Sequence, residues 1–351
     1  MEKKLLSTAI AGALAASMSF AATADTTVFG NVNVSIDSVD VDGGTDDLNM
    51  SSNTSAVGFK GSEDLGGGLK AIYKIDFQFD ATERNAGGGI TDRDQWVGLA
   101  GNFGKVRFGS ISTSYKSHGA KIDPIYRTSL QGREHGIQSR LHRGAGEVGG
   151  RMTNHVRYDS PDFQGLGFTV DYSFDRGTTA TDNDTYGIGG HYSNGPILVF
   201  ADYLTSDEGG SDDAWKIGGS FKMGMLGFYA QYEGDGGLIA QAPGVAGGTA
   251  EDADVWHIAG SYTMGNTLLY AAYAQGDDTG SAAGSTEYDA WTLAADHHLS
   301  KRTDVYAGFN QVDCDSASCV TSATGSEGVP ATVGAGGGEI DFFSVGVRHK
   351  F

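Results

Sequence analysis

The stretch of sequence that decides the fold is IDFFSVGVRHKF, residues 340–351. Alternate residues fall on two faces, one with Phe343, Val345, Val347, His349 and Phe351, the other with Phe342, Ser344, Gly346, Arg348 and Lys350. This period of two predicts a β-strand whose faces meet different solvents. A terminal strand leaves an unpaired edge, and a closed barrel removes that edge by pairing the last strand with the first. The tail therefore raises the hypothesis that the whole chain is a membrane barrel.

The first 24 residues have the organisation of a secretory signal peptide. Lys3 and Lys4 precede an apolar run over residues 5–20, and small residues follow up to Ala24, so we expect cleavage before Asp25. The apolar run is too short for a spanning helix, and no run of 18 apolar residues follows it. A membrane domain over residues 25–351 would therefore have to cross with strands.

The composition and charge of the chain indicate which kinds of partner and which cellular compartment to expect. The chain has 55 Gly and only 5 Pro among 351 residues, which disfavours long helices and suits uninterrupted strands. Its net charge of -20 argues against a nucleic-acid partner. Cys314 and Cys319 are close enough to form a disulfide across a small surface loop in an oxidising compartment. No metal or cofactor site is predicted, because two sulfurs alone make a poor zinc site and His297 and His298 lack a second ligand pair nearby in sequence.

Alternation like that of the tail recurs along the chain, in segments such as 27–36, 69–79, 166–174, 213–222 and 226–233. A soluble β-sandwich also alternates. Here, however, long apolar faces rich in aromatic residues stand opposite Lys, Asp, Gln and Glu over the whole length, which favours a membrane barrel with a polar lumen.

The connections between these segments alternate in length. Seven tight ones fall at residues 64–68, 101–104, 161–165, 193–196, 223–225, 264–266 and 299–302. Eight long ones fall near residues 38–54, 82–91, 112–150, 177–183, 206–212, 234–253, 276–286 and 313–338. Fifteen connections predict sixteen strands, with short periplasmic turns, long extracellular loops and both termini on the short-turn side. The predicted fold is therefore all-β, a 16-stranded antiparallel transmembrane β-barrel.

Five motifs resemble the general diffusion porins of Gram-negative outer membranes, especially the trimeric porins of proteobacteria. They are GFKGSEDLGGGLKAIYK (58–74), WVGLAGNFGKVRFGS (96–110), RMTNHVRYDSPDFQGLGF (151–168), LSKRTDVYAGF (299–309) and VGVRHKF (345–351). The resemblance implies a homotrimer that passes small hydrophilic solutes and ions and contacts lipid and lipopolysaccharide. It also implies that Phe351 is the assembly signal for the outer-membrane insertion machinery.

The long stretch over residues 112–150 is the candidate constriction, since a loop of this length usually has a function. The resemblance implies that it is the third loop and folds into the lumen. It carries six bases and three acids: Lys116, Lys121, Arg127, Arg133, Arg140, Arg143, Asp123, Glu134 and Glu147. A basic loop in an acidic chain suggests a role in the pore, although charges that merely solvate a surface loop are the alternative.

Porins of this family set charges on that loop against bases on the barrel wall. The matching wall positions are Lys60, Lys74, Arg93, Arg107, Arg151 and Arg157. Period-two counting turns four of them toward the lumen and leaves the facing of Arg93 and Arg151 open. The loop acids to set against them are Asp123 and Glu134. Because the loop has fewer acids than its relatives carry, we expect a weak preference for anions.

The other polar groups have simpler expected roles. The remaining long loops are acidic, which suggests solvated surface charge or, alternatively, a vestibule that binds divalent cations. Four inward acids, Asp76, Asp171, Asp202 and Glu233, are expected to hydrate the channel. The sequence has no nucleophile with a neighbouring base, so an outer-membrane enzyme is disfavoured. A structural barrel with a blocked lumen is disfavoured because no plug domain is present.

Overall fold

The computed structural model describes residues 25–44, 46–82, 90–143, 149–174, 184–206, 212–235, 238, 253–278, 286–315 and 338–351. Its strands are β1 Asp25–Val41, β2 Asp47–Ser52, β3 Ala56–Gly66, β4 Leu69–Phe79, β5 Ile90–Gly101, β6 Gly104–Ser112, β7 Arg151–Asp159, β8 Leu166–Ser173, β9 Thr185–Asn194, β10 Ile197–Ser206, β11 Asp212–Met223, β12 Leu226–Asp235, β13 Ala253–Met264, β14 Thr267–Asp278, β15 Thr286–His298, β16 Thr303–Cys314 and β17 Gly338–Lys350. All belong to one sheet in which every pairing is antiparallel. Paired strands are neighbours in sequence, except that β1 also pairs with β3 and with β17.

The sheet closes because β17 pairs with β1, from Asn31 opposite Lys350 to Val41 opposite Ile340. Strands β2 and β3 both pair with β1, one with each half of it. They are one barrel strand interrupted over residues 53–55, where Thr54 takes the left-handed conformation at a φ of 56°. The seventeen segments therefore make the sixteen barrel strands that the sequence predicts.

Long and short connections alternate around the barrel, as expected. The seven short ones join β3 to β4, β5 to β6, β7 to β8, β9 to β10, β11 to β12, β13 to β14 and β15 to β16. Because every pairing is antiparallel, all seven lie at the same end. The expected first loop, 38–54, is wrong in its bounds. Strand β1 continues to Val41 and β2 starts at Asp47, since the alternation of apolar and polar residues extends beyond the predicted strand.

The two faces of the barrel have the polarity that a membrane requires. Outward residues are apolar and exposed, such as Val28, Ile188 and Ile258, each more than half exposed. Inward residues are polar and buried, such as Asn33 and Thr292. This is the reverse of a soluble protein, and the continuous apolar outer surface is the surface that lipid covers.

The segment between β6 and β7 holds the helical residues of the described chain, namely α1 (Ser114–Gly119) and three single 3-10 turns. No helix in the described ranges is long and apolar enough to cross a membrane. Apolar residues of this segment, among them Ile125, Leu130 and Ile137, pack against inward residues such as Ala290 and Phe342. The apolar core therefore lies inside the barrel, between the segment and the wall.

Candidate functional site: a loop across the lumen and a basic wall

The segment 113–143, called the lumen loop below, begins with α1. Thr113 caps the helix, its Oγ1 accepting a hydrogen bond from the backbone N–H of Lys116 at 3.2 Å. The Ser114 N–H donates to the carboxylate of Asp171 on β8 at 3.1 Å, and His118 Nδ1 lies 2.9 Å from Asp202 of β10. These contacts hold the start of the loop against β8–β10.

The middle of the lumen loop reaches the barrel seam. The backbone carbonyl of Arg127 accepts a hydrogen bond from the side-chain amide of Asn33 on β1. Arg348 of β17 donates to the carbonyl of Tyr126 at 3.0 Å. The His135 ring lies 4.4 Å, centroid to centroid, from Phe342 of β17. The loop therefore crosses from β8–β10 to the strands on both sides of the seam.

The returning part of the loop shares an anchor with its start. Glu233 of β12 accepts hydrogen bonds from the Tyr115 hydroxyl at 2.8 Å, from Ser139 Oγ at 2.6 Å and from the Ser139 N–H at 3.1 Å. Lys216 of β11 donates to the Tyr115 carbonyl, and its Nζ lies 2.9 Å from His142 Nε2. Apart from its root, the loop is thus fastened to β8–β17 and β1, and it faces β3–β7 across the lumen.

The wall formed by β3–β7 carries the six predicted bases, and three of its acids contact five of them. Each of these acids contacts two bases. Asp76 lies 3.2 Å from Lys74 and 3.4 Å from Arg93. Asp94 lies 3.0 Å from Lys74 and 2.8 Å from Arg151.

Asp159 completes the pattern. It contacts Arg107 and lies 2.9 Å from Arg157. Lys60 makes no ion pair with any described carboxylate and lies instead over the ring of Phe29, with 5.3 Å between its Nζ and the ring centroid. Taken together, these six bases and three acids have an excess of positive charge.

The facing of Arg93 and Arg151, which the sequence left open, is inward for both. Each is buried, and each lies beside a register shift that breaks the period of two, opposite residues 75–77 and 109–111 respectively. A bulge adds an unpaired residue and re-aims the side chains after it. Counting alternate residues therefore could not predict which way these two side chains face.

The acids of the lumen loop are buried and are bound by other groups of the loop. Asp123 accepts hydrogen bonds from the N–H groups of Gly132 and Ile125, at 2.9 and 3.2 Å. Burial raises the pKa of the Asp123 carboxyl to about 6, against the opposing effect of these hydrogen bonds and of Arg133. Glu134 pairs with Arg143 at 2.7 Å and with Arg133 at 3.4 Å.

The bases of the lumen loop lie among the bases of the wall. Burial, together with the charges of Arg133, Arg151 and Arg93, holds the pKa of the Lys116 ammonium well below its usual value. Burial and the Arg157 charge lower the pKa of Lys121. Arg127 makes no ion pair with a carboxylate in the described part of the chain, and its Nη1 approaches Asn31 Oδ1 at 3.4 Å. Bases of the loop and bases of the wall therefore lie within each other's electrostatic influence.

Other predicted positions stay predictions. Cys314 is buried at the end of β16, whereas Cys319 and residues 1–24 lie outside the described residues, as does Glu147. Nothing is described for the side chain of Arg140. Among the acidic loop residues expected to line a vestibule, Asp207, Glu208, Glu251, Asp252 and Glu327 also fall in ranges that are not described.

The expected role of the inward acids needs correction. Asp76, Asp171, Asp202 and Glu233 do face the lumen, but each is at most 4% exposed and is held by basic or loop groups. They fix the loop and the wall bases in place and do not hydrate an open channel. Sequence reasoning also missed Lys216 and Arg348, because their loop partners lie about 100 and 220 residues away and only the barrel register brings them together.

Comparisons with known proteins fit this architecture. A family model described as Gram-negative porin matches residues 7–317. The chain belongs to the Gram-negative porin family. Outer membrane porin protein 32 of Delftia acidovorans is 31% identical to this porin over the full length of both chains. The major outer membrane protein P.IB of Neisseria meningitidis is 30% identical over 57% of this porin and 58% of that protein.

Solved structures of other outer-membrane proteins superpose on this barrel. An anion-selective porin from Comamonas acidovorans superposes with a TM-score of 0.80 at 25% identity, over 94% of this porin and 100% of that chain. OmpT of Vibrio cholerae, in a trimer form, superposes with a TM-score of 0.68 at 16% identity, over 94% and 100%, which speaks for the fold alone. The porin is a channel of the Gram-negative outer membrane for passive diffusion of small hydrophilic solutes, and not an enzyme.

Proposed function

We propose that this porin prefers anions and that the preference is set where the lumen loop faces the wall of β3–β7. The observation that carries the proposal is the placing of bases on both sides of the passage. The charges of Arg93 and Arg151 of the wall act on Lys116 of the loop, and the charge of Arg127 of the loop acts on Arg93. A narrow passage between two positive surfaces concentrates anions and repels cations.

The distribution of the acids supports the same sign. Asp76, Asp94 and Asp159 are each held by two wall bases, and Glu134 is held by two loop arginines. Asp123 is buried with a raised pKa, so that part of its charge is lost near neutral pH. Unpaired charge at the passage is therefore mostly positive, from Lys60, Lys121 and Arg127.

The acidic exterior acts in the opposite sense but more weakly. Exposed charges are screened beyond roughly 8–10 Å at physiological salt, whereas charges in a narrow lumen are screened less. The relative from Comamonas acidovorans, with which the barrel superposes over nearly its whole length, is itself described as anion-selective. We therefore place the control of selectivity inside the barrel.

The preference can be tested by liposome swelling with three organic solutes of matched size, one anionic, one neutral and one cationic. We expect the anion to enter severalfold faster than the cation, with the neutral solute between them. Equal rates for all three, or faster entry of the cation, would count against the proposal. Liposomes without protein give the background rate.

We further propose that the porin assembles as a homotrimer and that Phe351 directs its insertion, with lipid and lipopolysaccharide as its surroundings. Two features support this. A trimer form is described for one protein of the same fold. The backbone of Phe351 closes the seam with Gly30 through hydrogen bonds of 3.0 and 3.1 Å. Migration of the unheated protein on a denaturing gel, compared with the heated sample, tests for the trimer.

A further inference from the structure

We infer that the porin has a binding site for a divalent transition-metal ion of the zinc class at the short-turn rim of the lumen, formed by Asp296, His298 and Asp304. Asp296 and His298 end β15, and Asp304 lies near the start of β16, on the other side of the tight turn 299–302. One oxygen or nitrogen atom from each of the three lies within 4.8 Å of the others. Arg348, which holds both carboxylates, also donates to the Tyr126 carbonyl of the lumen loop, but none of the three ligands belongs to the groups proposed above to set selectivity.

The orientation of the two carboxylates supports the inference. In each, one oxygen faces His298: Oδ1 of Asp296 and Oδ1 of Asp304 both lie 3.9 Å from its Nδ1. The other oxygen faces Arg348, which lies 2.7 Å from Asp304 and 3.4 Å from Asp296. Metal-binding carboxylates are commonly held in this way by a second group behind them.

A buried polar atom without a partner points to a ligand. Asp296 is only 3% exposed, and its Oδ1 has no hydrogen-bond partner in the described part of the chain. Leaving a buried carboxylate oxygen unsatisfied is costly, so a cation at this position would compensate a loss that the protein alone does not. His298 is half exposed, which gives an ion access from the aqueous lumen.

The chemistry of the ligands selects the metal class. Two carboxylate oxygens and one imidazole nitrogen suit zinc, nickel or copper, whereas magnesium and calcium prefer oxygen alone. Tetrahedral zinc with bonds of about 2.0–2.2 Å places its ligand atoms roughly 3.4 Å apart, so each 3.9 Å separation has to close by about 0.5 Å. Three protein ligands leave the fourth position to water.

Lys350 is the natural competitor of the metal. Its Nζ lies 3.7 Å from Asp304 Oδ1, and its side chain is about half exposed and free to swing into water. The site is therefore expected to bind moderately in the native protein and more tightly once this charge is removed. Removal of the Lys350 charge should therefore raise the affinity for the metal. A variant whose fold is damaged would not show such an increase.

Isothermal titration of the full-length protein in detergent with zinc chloride tests the inference. We expect one site per chain, at least about tenfold weaker in His298→Ala and in Asp296→Asn, and tighter in Lys350→Met. His297→Ala is the matched control and should bind as the native protein does, because the His297 Nδ1 contacts Thr267 Oγ1 and not the site.

Cobalt substitution gives a reading that needs no variant. Cobalt bound at the site should produce visible absorption bands that zinc displaces and calcium does not. Native protein with no saturable binding, calcium binding as tightly as zinc, or His298→Ala protein with native conductance and native zinc affinity would each overturn the inference. The outcome is independent of ion selectivity, since a porin without anion preference could still bind the metal.

Discussion

At the scale of single residues, the wall of β3–β7 shows how a membrane pore holds charge inside a barrel. Its acids do not neutralise the bases one for one, because each of Asp76, Asp94 and Asp159 is shared between two. Sharing fixes the basic side chains at the lumen surface and leaves a positive excess. Bases outside these ion pairs, above all Arg127, are therefore expected to act most strongly on a passing ion.

Reversing the charge of Arg127 should therefore weaken anion preference. A unit charge 4 Å from an ion interacts with it by about 1 kcal/mol even in bulk water, so Arg127→Glu should lower the anion-to-cation permeability ratio severalfold. Lys301→Glu, on an exposed tight turn, is the matched control with the same charge change. Equal shifts of the reversal potential in both variants would mean that net charge, and not position, sets selectivity.

The raised pKa of the Asp123 carboxyl predicts that the stability of the lumen loop depends on pH. Its pKa is raised to about 6, so the folded protein holds this proton in the window from about pH 4 to 6, where the unfolded chain has lost it. The carboxyl thus favours the loop fold most at low pH, and that contribution declines as pH rises through 6. Arg133, Tyr126 and Tyr270 are the titratable groups that face it.

Lowering the pH from 7 to 5 should increase anion preference, because a negative charge is lost beside the passage. In Asp123→Asn this change should be reduced, and its selectivity at pH 7 should match that of the native porin at pH 5. Reversal potentials measured over this pH range provide the check. An unaltered pH response in Asp123→Asn would assign the titration to another group.

At the scale of elements, the Glu233 carboxylate on the barrel wall holds two parts of the lumen loop together. It accepts a hydrogen bond from Tyr115 at the start of the loop and hydrogen bonds from Ser139 in its returning part. Each hydrogen bond to a charged group contributes roughly 1.5–3 kcal/mol. Loss of this one carboxylate therefore removes contacts at both ends of the loop.

We expect Glu233→Ala to give a less stable pore, with more frequent closures or a wider spread of single-channel conductance. Glu287→Ala, which removes an exposed carboxylate from β15, is the control and should conduct as the native porin does. Native single-channel behaviour in Glu233→Ala would show that the other loop contacts suffice.

The elements also show how far the sequence could predict the structure. Strand number, the alternating connections and the inward facing of Lys60, Lys74, Arg107 and Arg157 follow from local periodicity. Arg93 and Arg151 did not, because bulges shift the register beside them. The loop anchors, and the grouping of Asp296 and His298 with Asp304 and Arg348, depend on which strands become neighbours. That is a property of the closed barrel and not of any one segment.

At the scale of the whole molecule, the seam between β1 and β17 closes the barrel, since eleven residue pairs join the last strand to the first. Phe351 ends this seam and is 44% exposed. Deleting it, or replacing it in Phe351→Ala, should leave unassembled protein in the periplasm. Phe103→Ala removes an aromatic ring of the same exposure from a tight turn and is the control. Normal amounts of assembled trimer without Phe351 would contradict the proposed assembly signal.

The proposed function joins all three scales, because bases placed by single strands and by one folded loop set the sign of the field in the whole channel. The most direct test is the reversal potential of the native porin in a planar bilayer with a KCl gradient at neutral pH. Potassium and chloride have similar mobilities in water, so the sign of the potential reports the selectivity of the pore. A potential of the sign set by chloride is the predicted result, and one set by potassium would contradict the proposal.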